Sequence, residues 1–230
     1  LPDGGHTAAR SVRVIMMGMD PLQGSRWSAP GTVEGFSRSQ PNPVLMRFVE
    51  RELERATRAR VLDLGCGAGR NAVPMARAGG RVLGTDLSWP MLKAAAQKAQ
   101  AEGVVAATQW ALAPMEDLPA GDHSFDVIVA HGIWNLARSS AQFRRALAEA
   151  ARVARPGAGL FVFTFSRHTL LPEAGSVAGE TFVFTQFSGE PQCFLTEPEL
   201  VAELASVGFA ALGPLTEYNR PAKGQLNPGG

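Results

Sequence analysis

Three glycines at alternate positions, Gly65, Gly67 and Gly69, follow an apolar run that carries one acid, Val61-Leu62-Asp63-Leu64. That order suits a buried strand, a tight loop and a helix start, the helix continuing over Asn71 to Ala78. A side chain in such a loop would stop the backbone turning sharply and approaching a ligand, and the helix behind it presents free N–H groups. The chemistry predicted is the holding of a nucleotide-like molecule at the carboxyl end of a strand. The dinucleotide pattern G-x-G-x-x-G is not met, because its third glycine would fall on Arg70; the order here is D-x-G-x-G-x-G.

A second acid stands in a matching place. Arg81 to Asp86 reads as the next strand, so Asp86 lies at that strand's carboxyl end. There a carboxylate offers two oxygens to the neighbouring hydroxyls of a ribose, or else serves as a turn or capping residue. Further on, Met115-Glu116-Asp117-Leu118-Pro119 is followed by Ser124-Phe125-Asp126 and the apolar run Val127 to Ala130, which closes at His131-Gly132.

Together these stretches resemble the class I S-adenosylmethionine-dependent methyltransferases of small-molecule type, from about residue 42 to about residue 218. The resemblance implies S-adenosylmethionine as cofactor and S-adenosylhomocysteine as product, laid across several strand ends. Its methionine end would lie over Asp63, Gly65, Cys66, Gly67 and Gly69, its ribose at Asp86, and its adenine against Leu87 and Met115, with the backbone near Met115 and Glu116 at the ring edge. Many relatives place an acid where this chain has Pro114, so Glu116 or Asp117 takes over any side-chain contact to the adenine amino group. His131 supplies a backbone carbonyl to the cofactor amine, acts as general base towards the acceptor, or is structural. An arginine in the N-terminal segment, Arg38, is a candidate partner for the methionine carboxylate or a solvated side chain. Trp134 and Asn135, after the fourth strand, line the acceptor pocket or simply pack.

The elements that must position these groups follow from periodicity. Asn42-Pro43 opens a helix to about Thr57, and Ser88 with Pro90 opens one running to Gly103. A third strand is expected over Val104 to Trp110. An amphipathic helix over Ala141 to Ala154, with Arg144, Arg145, Arg152 and Arg155 on its solvated side, is stopped by Pro156-Gly157. Gly159 to Ser166 reads as the fifth strand. The connection from Arg167 to Leu195 is longer than usual and alternates over Glu180 to Phe187. There Phe182, Phe184 and Phe194 either make the acceptor pocket apolar or cover the sheet edge. Thr196 and Glu199 form a capping box for a helix to Val207, and Phe209 to about Tyr218 can form a last strand. The fold class expected is α/β: a doubly wound, mostly parallel Rossmann-like sheet of about seven strands flanked by helices, with a lid insertion after the fifth strand. Residues 1–31 are expected to be a flexible N-terminal segment, Val12 to Met17 forming at most a short strand or turn. The chain begins at Leu1, so part of that segment reads as tag, with Met16, Met17 or Met19 as a native start. Residues 32–218 form the methyltransferase domain, with 167–195 as lid or substrate insertion, and 219–230 a disordered tail.

Composition narrows the function. With 230 residues, 45% hydrophobic, the chain suits a single α/β domain with a full core. A net charge of +1 and the lack of a basic run argue against nucleic acid. The motifs of base methylation are also missing: His131-Gly132-Ile133-Trp134 stands where amino-group enzymes carry [DNS]-P-P-[YFW], and there is no Pro-Cys pair. Two cysteines, Cys66 and Cys193, give neither a disulfide framework nor metal spacing. No apolar run reaches membrane-spanning length, so a soluble cytoplasmic monomer or homodimer acting on a small molecule is expected, without metal or membrane. The leading reading is methyl transfer by in-line displacement to a small acceptor. The rivals are a nicotinamide-dependent oxidoreductase, which the glycine spacing disfavours, and a non-catalytic S-adenosylmethionine-binding protein.

Overall fold

In strand β1 (Arg60–Leu64) every residue after the first is buried, the mark of a strand covered on both faces. A computed structural model describes residues 20–56 and 58–216; the readings above for residues 1–19 and 217–230 lie outside the described residues. Around β1 stand β2 (Arg81–Asp86), β3 (Thr108–Leu112), β4 (Phe125–His131) and β5 (Ala154–Phe163). They form one sheet in the order β3-β2-β1-β4-β5, every neighbouring pair parallel. The chain runs outward from β1 to β3, then crosses back over β1 to lay down β4 and β5. That reversal opens a crevice at the carboxyl ends of β1 and β4.

Helices α1 (Pro30–Arg38), α2 (Pro43–Arg55), α3 (Ala72–Arg77), α4 (Trp89–Ala101), α5 (Ser140–Val153) and α6 (Glu197–Ser206) complete the architecture. The strands divide their side chains between two cores. Val61, Val82, Val127 and Val129 meet Leu45 and Val49 of α2, Met75 of α3 and Leu92 of α4. Leu62, Leu64, Ile128 and Ala130 face the other way, onto Phe143, Leu147 and Ala150 of α5 and Leu200. The expected α/β sheet with helices on both faces is therefore present.

Local signals set several boundaries. Asn42 caps α2, its side-chain oxygen accepting from Val44 N at 2.9 Å and Leu45 N at 3.1 Å. Ser88 caps α4, and Thr196 and Glu199 form the expected capping box on α6. Four expectations need correction. The sheet has five strands among the described residues, not about seven. Residues 209–216 form no strand, and the 180–187 stretch contributes only β6 (Val183–Phe184), which pairs antiparallel with β7 (Gln192–Cys193) in a separate ribbon. A single parallel bridge, Ser166 to Leu195, prolongs the chain past β5. The third strand begins at Thr108 because Val105–Ala107 coil into a 3-10 turn. The segment before residue 32 is tied down where it is described. Asp20 accepts from Trp89 N at 3.1 Å, Ser28 and Ser88 hydroxyls lie 2.9 Å apart, and α1 packs on α4. Lastly, Arg152 is a clamp rather than a solvated side chain: it binds Glu149, Asp122 and the carbonyls of Leu118 and Ala120, fixing the loop before β4.

Candidate functional site

The loop after β1 turns through three left-handed residues, with φ of 62° at Gly65, 53° at Gly67 and 76° at Gly69, a region that carries a steric cost for any side chain. Two of the three also allow close packing. A Cβ on Gly65 would stand 2.6 Å from Ile133 Cδ1, and one on Gly69 3.1 Å from the Cβ of Ala95. Only at Gly67 is there room, towards Phe36 of α1. The backbone of this loop is pinned to the next strand: Cys66 N donates to the Thr85 carbonyl at 2.9 Å and Gly67 N to Asp86 Oδ2 at 2.9 Å.

Asp63 is 1% exposed and its Oδ2 has no hydrogen-bond partner. Burial pushes its carboxyl up to about 7, with the Arg70 guanidinium opposing that rise and Asp86 adding to it. An orphaned carboxylate oxygen at the bottom of a glycine cradle suits a ligand that brings its own cationic donor. Asp86 is half-buried and holds Ser88 N on its other oxygen at 2.8 Å. Burial raises its pKa, while the bonds from Ser88 and Gly67 N–H lower it. Each oxygen keeps a lone pair after its backbone bond, so the carboxylate retains capacity for two ligand hydroxyls. It also braces the loop, a task the spacing did not announce.

His131, at the end of β4, is boxed in by donors. The Asn42 amide nitrogen, its oxygen committed to the α2 cap, lies 3.0 Å from Nε2, and Arg70 Nη2 lies 3.3 Å from Nδ1. Phe163 stacks on the ring at 4.6 Å. Neither nitrogen faces an acceptor, so an imidazolium has no partner; burial first and the Arg70 charge second pull its pKa down to about 4. This arrangement makes His131 a poor base at neutral pH.

Arg38 stands away from this group. Its side chain is 79% exposed and pairs with Glu34 one turn back at 2.6 Å, because α1 turns that face to solvent. The cation at the cradle is Arg70, which lies over the Phe36 ring at 5.8 Å. Sequence reasoning saw Arg70 only as the residue that broke the dinucleotide pattern. Met115 packs into the core beside Leu118 and Phe125, and the Glu116 carboxylate accepts from Gln142 Nε2 at 2.7 Å. Leu87 is half-buried beside Asp86.

A cavity of about 280 Å³ opens next to Gly132, framed by the aromatic side chains of Trp27, Phe165 and Phe187. Asn135, Gln192 and Arg26 give it polar groups. Asn135 thus lines this cavity. Trp134 instead lies in the core at 6.4 Å from Phe143. Phe182 and Phe184 are also core residues: Phe182 packs edge-on to Phe143 at 5.3 Å and Phe184 against Phe194 at 6.3 Å. They therefore fill two parts of the core, Phe182 against α5 and Phe184 beside Leu170 and Phe194, and do not line the cavity. Gln192 and Trp27 escaped notice because they come from segments without helical or strand periodicity of any length, while Phe165 and Phe187 fell within the expected fifth strand and the alternating 180–187 stretch without being read as cavity residues. Among the described residues no group of His, Cys, Asp and Glu is arranged to hold a metal ion, and no helix is long and apolar enough to cross a membrane.

Comparison with known proteins bears on the same residues. A family model described as a methyltransferase domain matches residues 61–157, from β1 through the start of β5. The ubiquinone/menaquinone biosynthesis C-methyltransferase UbiE of Syntrophotalea carbinolica is 32% identical over 177 residues, covering 69% of this chain and 72% of that protein. Its namesake from Geotalea daltonii is 28% identical over 181 residues, covering 71% and 75%. Among solved structures, the 1,6-didemethyltoxoflavin-N1-methyltransferase of Burkholderia thailandensis, with 1,6-didemethyltoxoflavin and S-adenosylhomocysteine bound, superposes with a TM-score of 0.52 at 25% identity, covering 72% of this chain and 67% of that one.

Proposed function

The chain belongs to the class I S-adenosylmethionine-dependent methyltransferases of small-molecule type, and on that premise we propose that its acceptor is a quinone-type ring methylated at carbon. The protein transfers a methyl group from S-adenosylmethionine to a small molecule. What supports the narrower reading is the cavity beside Gly132, walled by Trp27, Phe165 and Phe187, together with the quinone-related names of the relatives. About 280 Å³ lies near the lower end of small-molecule sites, about 300 Å³, and suits a flat bicyclic ring.

When bound, the cofactor supplies a sulfonium whose methyl group is electrophilic. Its cradle falls to residues already placed at the crevice. Asp63, with its unpartnered oxygen, receives the α-ammonium, and Arg70, which has no carboxylate within ion-pair distance among the described residues, receives the α-carboxylate. Gly65, Cys66, Gly67 and Gly69 admit the backbone to close approach. Asp86 takes the ribose hydroxyls, and Leu87 with the segment Met115 and Glu116 borders the adenine. The neutral His131 ring has one acceptor nitrogen, so it accepts from Arg70 or from the Asn42 amide and steadies that side chain. In the acceptor cavity the lining holds no carboxylate and no imidazole; its charged side chain is Arg26. Catalysis then rests on holding the ring in line in a site poor in water, with Arg26 favouring the ionised hydroxyl that makes the ring carbon nucleophilic. The tip of the β6–β7 ribbon, carrying Phe187, serves as the lid of this cavity.

The test is a methyl-transfer assay with S-adenosylmethionine over reduced 1,4-naphthoquinone, simple phenols, amines and thiols. A carbon-bound methyl on the naphthohydroquinone is expected. Transfer confined to amines or thiols would replace this acceptor class with another.

A further inference from the structure

Trp27 belongs to both halves of the crevice. Its side chain borders the cavity beside Gly132, and its ring meets Phe36 of α1 edge-on at 6.2 Å. Phe36 in turn covers the glycine loop: a Cβ built on Gly67 would stand 3.5 Å from Phe36 Cδ1, and the Arg70 guanidinium lies 5.8 Å from the ring centre. A second line arrives through the backbone. Asp86 accepts from Ser88 N at 2.8 Å, and the Ser88 hydroxyl lies 3.4 Å from the Trp27 carbonyl, to which it donates, and 2.9 Å from the hydroxyl of Ser28. The residues assigned to the methionine end of the cofactor and to its ribose thus converge on one indole.

The helix that carries Phe36 is weakly held in its own right. None of the residues of α1 is buried, and a helix this short does not persist in water unaided. Its place comes from contacts on α4 and on the 3-10 turn Arg26–Ser28, while Asp20, bound to Trp89 N, moors the start of the segment. Elements with so little buried surface open at low free energy, and a ligand can shift them. A donor lying on the Gly67 loop and fixing Arg70 gives Phe36 a second surface to pack on. The cost of ordering α1 is then met when the donor binds, and the acceptor finds Trp27 already in place.

We propose that Phe36 and Trp27 couple the two sites, Phe36 as a positioning residue that reads the donor at Gly67 and Arg70, and Trp27 as the wall through which donor occupancy sets acceptor affinity. This rests on the glycine cradle as the donor site and on the cavity as the acceptor site. The coupling is reciprocal, so a bound acceptor tightens the donor by the same factor. Arg26, whose guanidinium lies 4.7 Å from the Trp27 ring centre, stands on the same turn, and the cation of the cavity is therefore set together with the indole.

The experiment uses the full chain with S-adenosylhomocysteine, which has no methyl group to transfer, and reads tryptophan emission and calorimetric binding of 1,4-naphthohydroquinone kept under reductant. S-adenosylhomocysteine is expected to shift the emission of the wild type, the larger part of that shift being lost in Trp27→Phe and in Phe36→Ala although the ligand still binds. It should also tighten naphthohydroquinone binding about fivefold or more in the wild type and about twofold or less in Phe36→Ala. Phe36→Tyr, which keeps a ring edge against the indole, should restore most of the coupling, an outcome that general damage to α1 does not give. The rise in melting temperature with S-adenosylhomocysteine certifies that each variant folds and binds; should Phe36→Ala lose it, Phe36→Leu carries the same comparison. Emission that shifts equally in the wild type and Trp27→Phe, or an affinity gain that survives Phe36→Ala intact, overturns the proposal. Naphthohydroquinone that fails to bind while Trp27 still answers S-adenosylhomocysteine through Phe36 overturns the acceptor class and leaves the coupling standing. A wild type that does not bind S-adenosylhomocysteine overturns the cradle and the coupling together.

Discussion

Replacing Asp63 by asparagine should stabilise the protein alone and weaken its hold on the cofactor. Burial moves this carboxyl from 3.8 to about 7, which at about 1.4 kcal/mol per pH unit means that its ionised form costs up to about 4 kcal/mol. The sign follows from proton counts. Between pH 3.8 and about 7 the folded chain keeps a proton that the unfolded chain has released, so stability is full below 3.8, falls as pH rises and levels off above 7. Asparagine keeps a polar group with the same partner problem, so about half of the penalty, about 2 kcal/mol, should return at pH 8. For a chain of this size that is a rise in melting temperature of about 4–8 °C. At pH 5.5 the advantage should shrink by about 2 kcal/mol and so nearly vanish, because the wild-type carboxyl is then protonated in the fold. Calorimetric binding of S-adenosylhomocysteine should show the opposite balance: affinity falls about 10- to 100-fold in Asp63→Asn, and in the wild type it tightens as pH climbs through 7. A variant that melts lower at pH 8 and binds S-adenosylhomocysteine like the wild type would refute the assignment of Asp63 to the ammonium.

Asp86→Ala removes the acceptor of both Gly67 N and Ser88 N as well as the ribose contact, so S-adenosylhomocysteine affinity should drop by about 1–3 kcal/mol; titration calorimetry reads it, and an unchanged constant takes Asp86 out of the site. Arg70→Ala should raise KM for S-adenosylmethionine at least tenfold while Arg38→Ala leaves it alone, and the reverse order in steady-state kinetics would return the carboxylate to α1. His131 should stay neutral to about pH 5 in an NMR titration of its ring protons, and its lowered pKa means stability that is present above 6.5 and lost as pH falls towards 4. A ring titrating near 6.5 would show that the donors around it do not act as described. Phe182→Ala should cost about 3–5 kcal/mol of stability in denaturant melts with acceptor KM unaltered, since Phe182 fills the core against Phe143.

Local chemistry was readable in the chain and long-range packing was not. The glycine loop, the Asn42 cap and Asp86 at a strand end each depend on a few consecutive residues, and each stands where the spacing put it. Helix α1 was hidden because Gly31, Thr32, Val33 and Gly35 are poor helix formers; its packing on α4 decides its conformation. Arg38 and Arg70 are equivalent as residue types, and only the direction of α1 separates them. The alternating phenylalanines at 182 and 184 gave a sound strand signal with the wrong destination, since both faces of that short strand are covered. Gln192 carries no signal at all in sequence, because glutamine in a Gly- and Pro-flanked stretch normally sits in water, and here it is buried where β7 packs on the turn Trp134–Leu136.

The β6–β7 ribbon has a further consequence. Its ladder is closed on itself and shares no hydrogen-bonded register with β5, while Val183 and Cys193 root it in the core. The tip between them carries Phe187, which packs on Phe165 and Phe194; the residues around it can be lengthened, shortened or exchanged without disturbing the register of the five-stranded sheet. On the proposed reading, in which this tip borders the acceptor cavity, acceptor choice would be encoded apart from the strand ends and could be changed by grafting at the tip.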